Sequence, residues 1–263
     1  MRKNNSPAVS WGIGDNSTWL FMILSITIPV FIWLVVSNSG LVKPLFLPTP
    51  QAVIAALQKL WATGDLQTDI GFSLLRVLGG FLLAAVISIP LGVLMGSFPV
   101  VRALLEPAIS IFRYMPAPAF IPLLILYFGL GETPKILLIF IGTVFFNTLM
   151  IMDAVKFVSR ELIETCYTLG GQHHQILLQV ILPFIVPNII DACRVNMAAS
   201  WNLVIVAELV AATEGLGRRI SVAQRFLKTD EIFAGLIVIG VIGVVIDIFL
   251  VMLHRIVCKW AHN

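Results

Sequence analysis

Few residues in this chain have the type and spacing for chemistry, and those that do sit inside apolar sequence. Arg113 stands just before a stretch broken by Pro116, Pro118 and Pro122. A guanidinium holds oxyanions through paired hydrogen bonds, so Arg113 is a candidate for attracting an anion. The alternative is an arginine whose long stem carries its charge to an interface. Asp191, Arg194 and Glu208 fall within one long apolar run. Charge in hydrocarbon is expensive, so such groups mark a solute path or a buried pair. Asp191 and Arg194 are three apart on one helix face and are expected to neutralise each other. Glu208, near the far end of the run, is expected at a pathway or gate, at an interface, or in solvent. Asn147, Asn196, Trp201 and Asn202 either line a path or bond neighbouring helices, and interhelical bonding is the favoured reading.

Other chemistries find no support. His173 and His174 are adjacent, not four apart, so they form no helix-face metal pair and are expected on an exposed loop. Cys166, Cys193 and Cys258 have neither metal-ligand spacing nor the even count of a disulfide framework. There is no Gly-x4-Gly-Lys-Ser/Thr nucleotide loop, and no cluster of His, Asp or Ser suggests a membrane enzyme. The net charge of +3 is dispersed, so nucleic acid is not an expected partner.

The elements that hold these residues are dictated by hydropathy. Of 263 residues 59% are hydrophobic and 12% charged, about half the ~25% charge of an ordinary soluble domain, and the mean hydropathy is +0.98. A soluble fold could not hide that surface. A helix crossing a ~30 Å hydrocarbon core needs about 20 apolar residues. The chain resolves into about six such units, near residues 19–36, 77–101, 104–130, 136–155, 184–212 and 232–253. The expected fold is therefore an all-α membrane protein. Residues 1–18 form an N-terminal segment and 19–263 a single membrane domain. The first run reads as an anchor that stays, because no small-residue cleavage pattern follows it.

Two features break this regularity. The third unit is interrupted at Pro116 and Pro118, and such backbone survives at membrane depth only within protein or beside a water-filled path. Before the second unit, Thr49 and Pro50 offer a helix start, and Val53, Ile54, Leu57, Leu60 and Trp61 follow at helical spacing. This helix either lies along the membrane surface or merely connects two spans. Glycines at 79, 80, 92 and 96 suit a closely packed helix face. Six spans place both termini on one side, but the Lys and Arg distribution does not decide which side.

The internal segment 156–183 is the least membrane-like. It reads as two short amphipathic helices joined at Gly170-Gly171 and ending at Pro183, where a span begins. Paired glycines permit a sharp turn, and proline fits the first turn of a helix. Such a lever, joined rigidly to spans on both sides, would pass force from a soluble motor to the membrane helices.

Glu164-Thr165-Cys166, three residues, Gly170, nine residues, then Val180-Ile181-Leu182-Pro183 resembles the EAA loop of binding-protein-dependent ABC importer permeases, Glu-Ala-Ala-x3-Gly-x9-Ile-x-Leu-Pro. Thr165, Cys166 and Val180 depart from the pattern with small or apolar side chains. Segments 47–50, 73–81, 113–122, 128–132 and 215–217 look like the nitrate, sulfonate, taurine and bicarbonate branch. The resemblance implies a type I (MetI-like) transmembrane domain in a bacterial plasma membrane, with both termini cytoplasmic. It implies a second permease copy, two cytoplasmic ABC ATPases gripping the EAA loops through Glu164, Thr165, Cys166, Gly170, Gly171, Leu182 and Pro183, and an extracytoplasmic solute-binding protein. ATP and Mg would be bound by the partner ATPase, leaving this chain without cofactor and without catalysis of its own. Arg113, Pro116, Pro118, Asn202 and Glu208 are the candidate pathway or gate residues. The resemblance, with Arg113, implies a small anion as substrate and leaves open taurine or another sulfonate, nitrate, and bicarbonate. The competing class is a channel or ion-coupled carrier, which also uses broken helices and buried charge but has no need of a coupling loop.

Overall fold

The computed structural model describes residues 15–261, all of them helix, turn or loop. Most of the expected N-terminal segment, residues 1–18, lies outside them. The chain opens with α1 (Asp15–Asn38) and α2 (Pro50–Ala62). The start of α2 is as its sequence requires: Thr49 Oγ1 accepts the Ala52 N–H at 3.3 Å, and Pro50 occupies the first turn. The 33-residue α3 (Asp65–Ser97) follows, about 50 Å long at 1.5 Å per residue. Next come α4 (Pro99–Tyr114), a 3-10 turn at Ala117–Phe120 and α5 (Ile121–Phe128), bent by 87° at the break. The remainder is α6 (Glu132–Val155), α7 (Arg160–Thr168), α8 (His173–Ile176), α9 (Leu182–Ala211), α10 (Leu216–Arg225) and α11 (Thr229–Val257). Five of these helices are long and apolar enough to cross a membrane, and the bent α4–α5 pair makes the count up to six.

The core is a seam of α3, α6 and α9. Val77, Phe81 and Ala85 pack with Ile139, Met197, Trp201 and Val204 at one level. Val93, Ile151, Ile185 and Ile189 do so at another. Close approach depends on α3 glycines: a Cβ on Gly80 would lie 2.6 Å from Ile139 Cβ, and one on Gly92 2.7 Å from the Thr148 carbonyl oxygen. That obstruction is backbone, which cannot rotate away. Gly92→Val is therefore expected to separate α3 from α6 and cost about 1–3 kcal/mol by overpacking, read as a lower melting temperature in detergent. By contrast α1 is mostly exposed, and no residue in the most apolar stretch of α11 is buried. Their apolar faces are suited to lipid. Trp33 tethers α1, stacking on Phe233 at 5.7 Å and donating from Nε1 to the Pro48 oxygen at 2.9 Å.

The helices begin earlier than the apolar runs. The second run follows Arg76 and the fourth follows Lys135, yet helix α3 starts at Asp65 and α6 at Glu132. Hydropathy reads these charges as boundaries. The helices continue through them because the charges satisfy one another, as described next.

Candidate coupling segment and translocation site

The 156–183 segment folds as two short helices around a defined turn. Ser159 Oγ accepts the Leu162 N–H and starts α7. At its end the Gly171 N–H donates to the Cys166 oxygen and the Gly170 N–H to the Tyr167 oxygen, both at 2.9 Å, with Gly170 at φ +86°. This is a Schellman turn, the ending that demands a residue able to adopt positive φ. Gly171 is needed for space, since a Cβ there would meet the Cys166 oxygen at 2.8 Å. Beyond α8 a π-helical turn, Leu177–Ile181, leads into α9, whose first turn contains Pro183.

One side of this lever rests on the helix core: Ile163, Cys166 and Leu182 pack against the cluster containing Ile176, Ile181 and Ile185. The other side faces outward. Glu161, Glu164, Thr165 and Gly170 are exposed, and Leu169 is 83% exposed. The segment thus joins α6 to α9 through packed side chains while presenting an uncovered acidic and apolar surface.

The broken helix borders a cavity of about 430 Å³ on which Arg113, Pro116 and Asn202 converge. Pro118, in the 3-10 turn, does not line it. The Arg113 guanidinium lies over the Tyr114 ring, 4.9 Å from its centre, and donates from Nη2 to the Tyr114 hydroxyl at 3.2 Å. Its Nε is buried without a partner, and among the described residues no carboxylate lines the cavity. Asn202 spends one amide hydrogen on the Ala198 oxygen at 3.1 Å. Asn147 and Asn196 do bond helices together: Asn196 donates to Asn147 at 3.2 Å, and Asn147 to Ser88 at 2.6 Å, linking α9, α6 and α3.

Glu208 is elsewhere. It is 1% exposed, which excludes the solvated alternative, and it does not line this cavity. Its Oε1 accepts from Ser73 Oγ at 2.7 Å and Arg76 Nη1 at 2.6 Å, and its Oε2 from the Gly217 N–H at 2.8 Å. Arg76, wholly buried, also makes a bidentate pair with Glu132 at 2.5 and 2.8 Å and donates to the Glu214 oxygen. Asp69 accepts the Gly215 N–H at 2.7 Å and pairs with Arg219. The candidate gate residue is thus the hub of a closed polar cluster that fastens the loop before α10 to α3, α6 and α9. Sequence reasoning gave no role to Asp69 or Arg219, and met Ser73, Arg76 and Glu132 only within segments that carry the family resemblance. The available signal was that Asp69, Ser73 and Arg76 recur at helical spacing on one face of an apolar helix.

Arg194 lies 3.5 Å from Asp191, as expected, but its better partner is Asp247 on α11, met bidentately at 3.0 and 3.1 Å. A partner 53 residues away could not be read from helix spacing.

Comparison with known proteins agrees with this architecture. Residues 88–261 match the family model described as binding-protein-dependent transport system inner membrane component. The chain is 34% identical to the taurine transport system permease protein TauC of Escherichia coli K12 over 255 residues, covering 95% of this chain and 92% of that one. It is 33% identical to the putative aliphatic sulfonates transport permease protein SsuC of Bacillus subtilis 168 over 245 residues, 93% and 89% of the two chains. Among solved structures, an inward-facing form of the MetNI methionine ABC transporter superposes with a TM-score of 0.64 at 20% identity, covering 73% of this chain and 95% of that one. The fold is thus that of a MetI-type permease, and the resemblance drawn from the EAA-like loop is borne out. This multi-pass chain belongs to the family of binding-protein-dependent transport system inner membrane components.

Proposed function

We propose that this chain forms the translocation pathway of an ATP-driven bacterial importer for a small anion of the sulfonate type. In this reading two copies make the pathway, and two cytoplasmic ABC ATPases, which bind the ATP and Mg, seat against the α7–α8 segment. An extracytoplasmic binding protein delivers substrate, and both termini are cytoplasmic in the plasma membrane. The observation that carries it is the lever: a Schellman turn at Gly170, packed onto α6 and α9 on one side and uncovered at Glu161, Glu164 and Leu169 on the other. A self-sufficient channel or carrier has no use for that surface. The names of the relatives, taurine and aliphatic sulfonates, and the carboxylate-free cavity at Arg113 support the anion class. Nitrate and bicarbonate are the other small anions of the branch.

Tagged chain purified in mild detergent from its native host is expected to bring down a P-loop ATPase and a solute-binding protein. Glu164→Arg, which reverses charge at an exposed position, is expected to reduce ATPase recovery several-fold while leaving insertion intact. A chain that purifies alone and moves solute in ATP-free vesicles would replace this reading with the carrier.

A further inference from the structure

The cavity beneath the broken helix has a composition that selects among anions. Among the described residues its lining holds one charge, the Arg113 guanidinium, and no carboxylate. Phe145, Phe146 and Met150 supply a broad apolar wall, and Asn202 adds an exposed amide. One positive charge in a largely apolar, half-open cavity balances one negative charge; a dianion would leave a surplus charge against the apolar wall, which is costly. An inorganic monoanion would neutralise Arg113 but leave the apolar wall facing water. An aminosulfonate would place its ammonium where no carboxylate can pair with it. The solute that meets every feature has a monoanionic oxyanion head, a hydrocarbon tail and no cationic group.

We propose that the Arg113 cavity is a substrate station inside the membrane domain that prefers unsubstituted alkanesulfonates to taurine, with Arg113 holding the sulfonate oxygens and Phe145, Phe146 and Met150 holding the alkyl chain. This rests on the sulfonate-importer reading above and assigns a second layer of selection to the permease, independent of any binding protein. Two quantitative consequences follow from the wall and the missing carboxylate. Each methylene buried against the wall tightens binding about fourfold, so butanesulfonate should bind roughly fifteenfold better than ethanesulfonate. Propanesulfonate matches taurine in heavy-atom length but carries a methyl where taurine carries its ammonium, and it should bind at least about tenfold better.

The test is direct binding to the purified full chain in phosphatidylcholine nanodiscs, by calorimetry, with ethane-, propane- and butanesulfonate and taurine. The proposal expects that order of affinity. It expects Arg113→Gln to abolish the signal with an unchanged melting profile, and Arg113→Lys to restore part of it. Should Arg113→Gln fail to fold, Ala199→Asp provides the second arm, because Ala199 is an exposed residue of the same lining. An added carboxylate there should narrow the gap between propanesulfonate and taurine. Equal affinity for propanesulfonate and taurine, no dependence on chain length, or phospholipid retained at Arg113 in place of any sulfonate would each overturn the proposal. A chain that recruits its ATPase yet shows one of these results loses only this inference, whereas one that recruits no ATPase loses the importer reading itself.

Discussion

Replacing Arg76 with methionine is expected to be the most damaging single change in the molecule. The guanidinium, fully buried, meets Glu132, Glu208 and the Glu214 oxygen, and its loss leaves the Glu208 carboxylate, itself fully buried, with only Ser73 and the Gly217 N–H. Breaking a buried ion pair from one side costs about 3–5 kcal/mol, a large share of the roughly 5–15 kcal/mol that holds a domain folded. Thermal unfolding in detergent and the monodisperse fraction on size exclusion should both fall sharply. Glu208→Gln should be milder. Its amide oxygen can still accept from Ser73 and Arg76, but its NH2 is turned against the Gly217 N–H, at a cost of about 1–3 kcal/mol. Because the two residues share one interaction, the double change of Arg76 and Glu208 to methionine should be less damaging than the sum of the single changes. Strict additivity would show that the cluster is not a unit.

Gly170→Val should leave a folded, inserted subunit that hydrolyses ATP with its partner but imports at least about tenfold less solute. The reason is conformational. No atom lies within 4 Å of a Cβ placed on Gly170, so space is available, but φ is +86°. A branched side chain there costs about 1–2 kcal/mol or more, which favours unwinding the Schellman turn and loosening the lever. Asparagine tolerates this region of backbone space, so Gly170→Asn should retain most transport. If valine and asparagine behave alike, the turn geometry is not what couples the two activities. Neither change is expected to lower the melting temperature as Arg76→Met does, because the turn is exposed and the polar cluster is not.

What the sequence makes legible here is whatever is local. Hydropathy finds every long helix, the Thr49-Pro50 start of α2 is read correctly, and the Gly170-Gly171 turn and Pro183 fall at their expected places, because each depends on residues within a few positions. The proline break is likewise read at Pro116, since proline removes backbone hydrogen bonds wherever it stands. Long-range pairing is illegible. Arg76 reads as the edge of a span because nothing near it in sequence reveals Glu208, 132 residues away, and Arg194 reads as Asp191's partner because Asp247 lies on another helix. Glu208 taken alone suggests a gate or an interface; its bonds to Ser73, Arg76 and Gly217, which tie α9 to α3 and α10, are visible only in the fold. The Arg113 cavity is an intermediate case. The charge and the break are visible in the chain, but the absence of carboxylates around them is a property of three packed helices.

The central claim is that transport through this chain is driven by ATP in a separate subunit and fed by a binding protein. Its most direct test is uptake of radiolabelled sulfonate into proteoliposomes holding the permease and its co-purified ATPase, with the binding protein outside and ATP sealed inside. The account predicts uptake that requires all three and disappears when ATP is replaced by a non-hydrolysable analogue. Uptake that proceeds without ATP and follows an imposed ion gradient would contradict it.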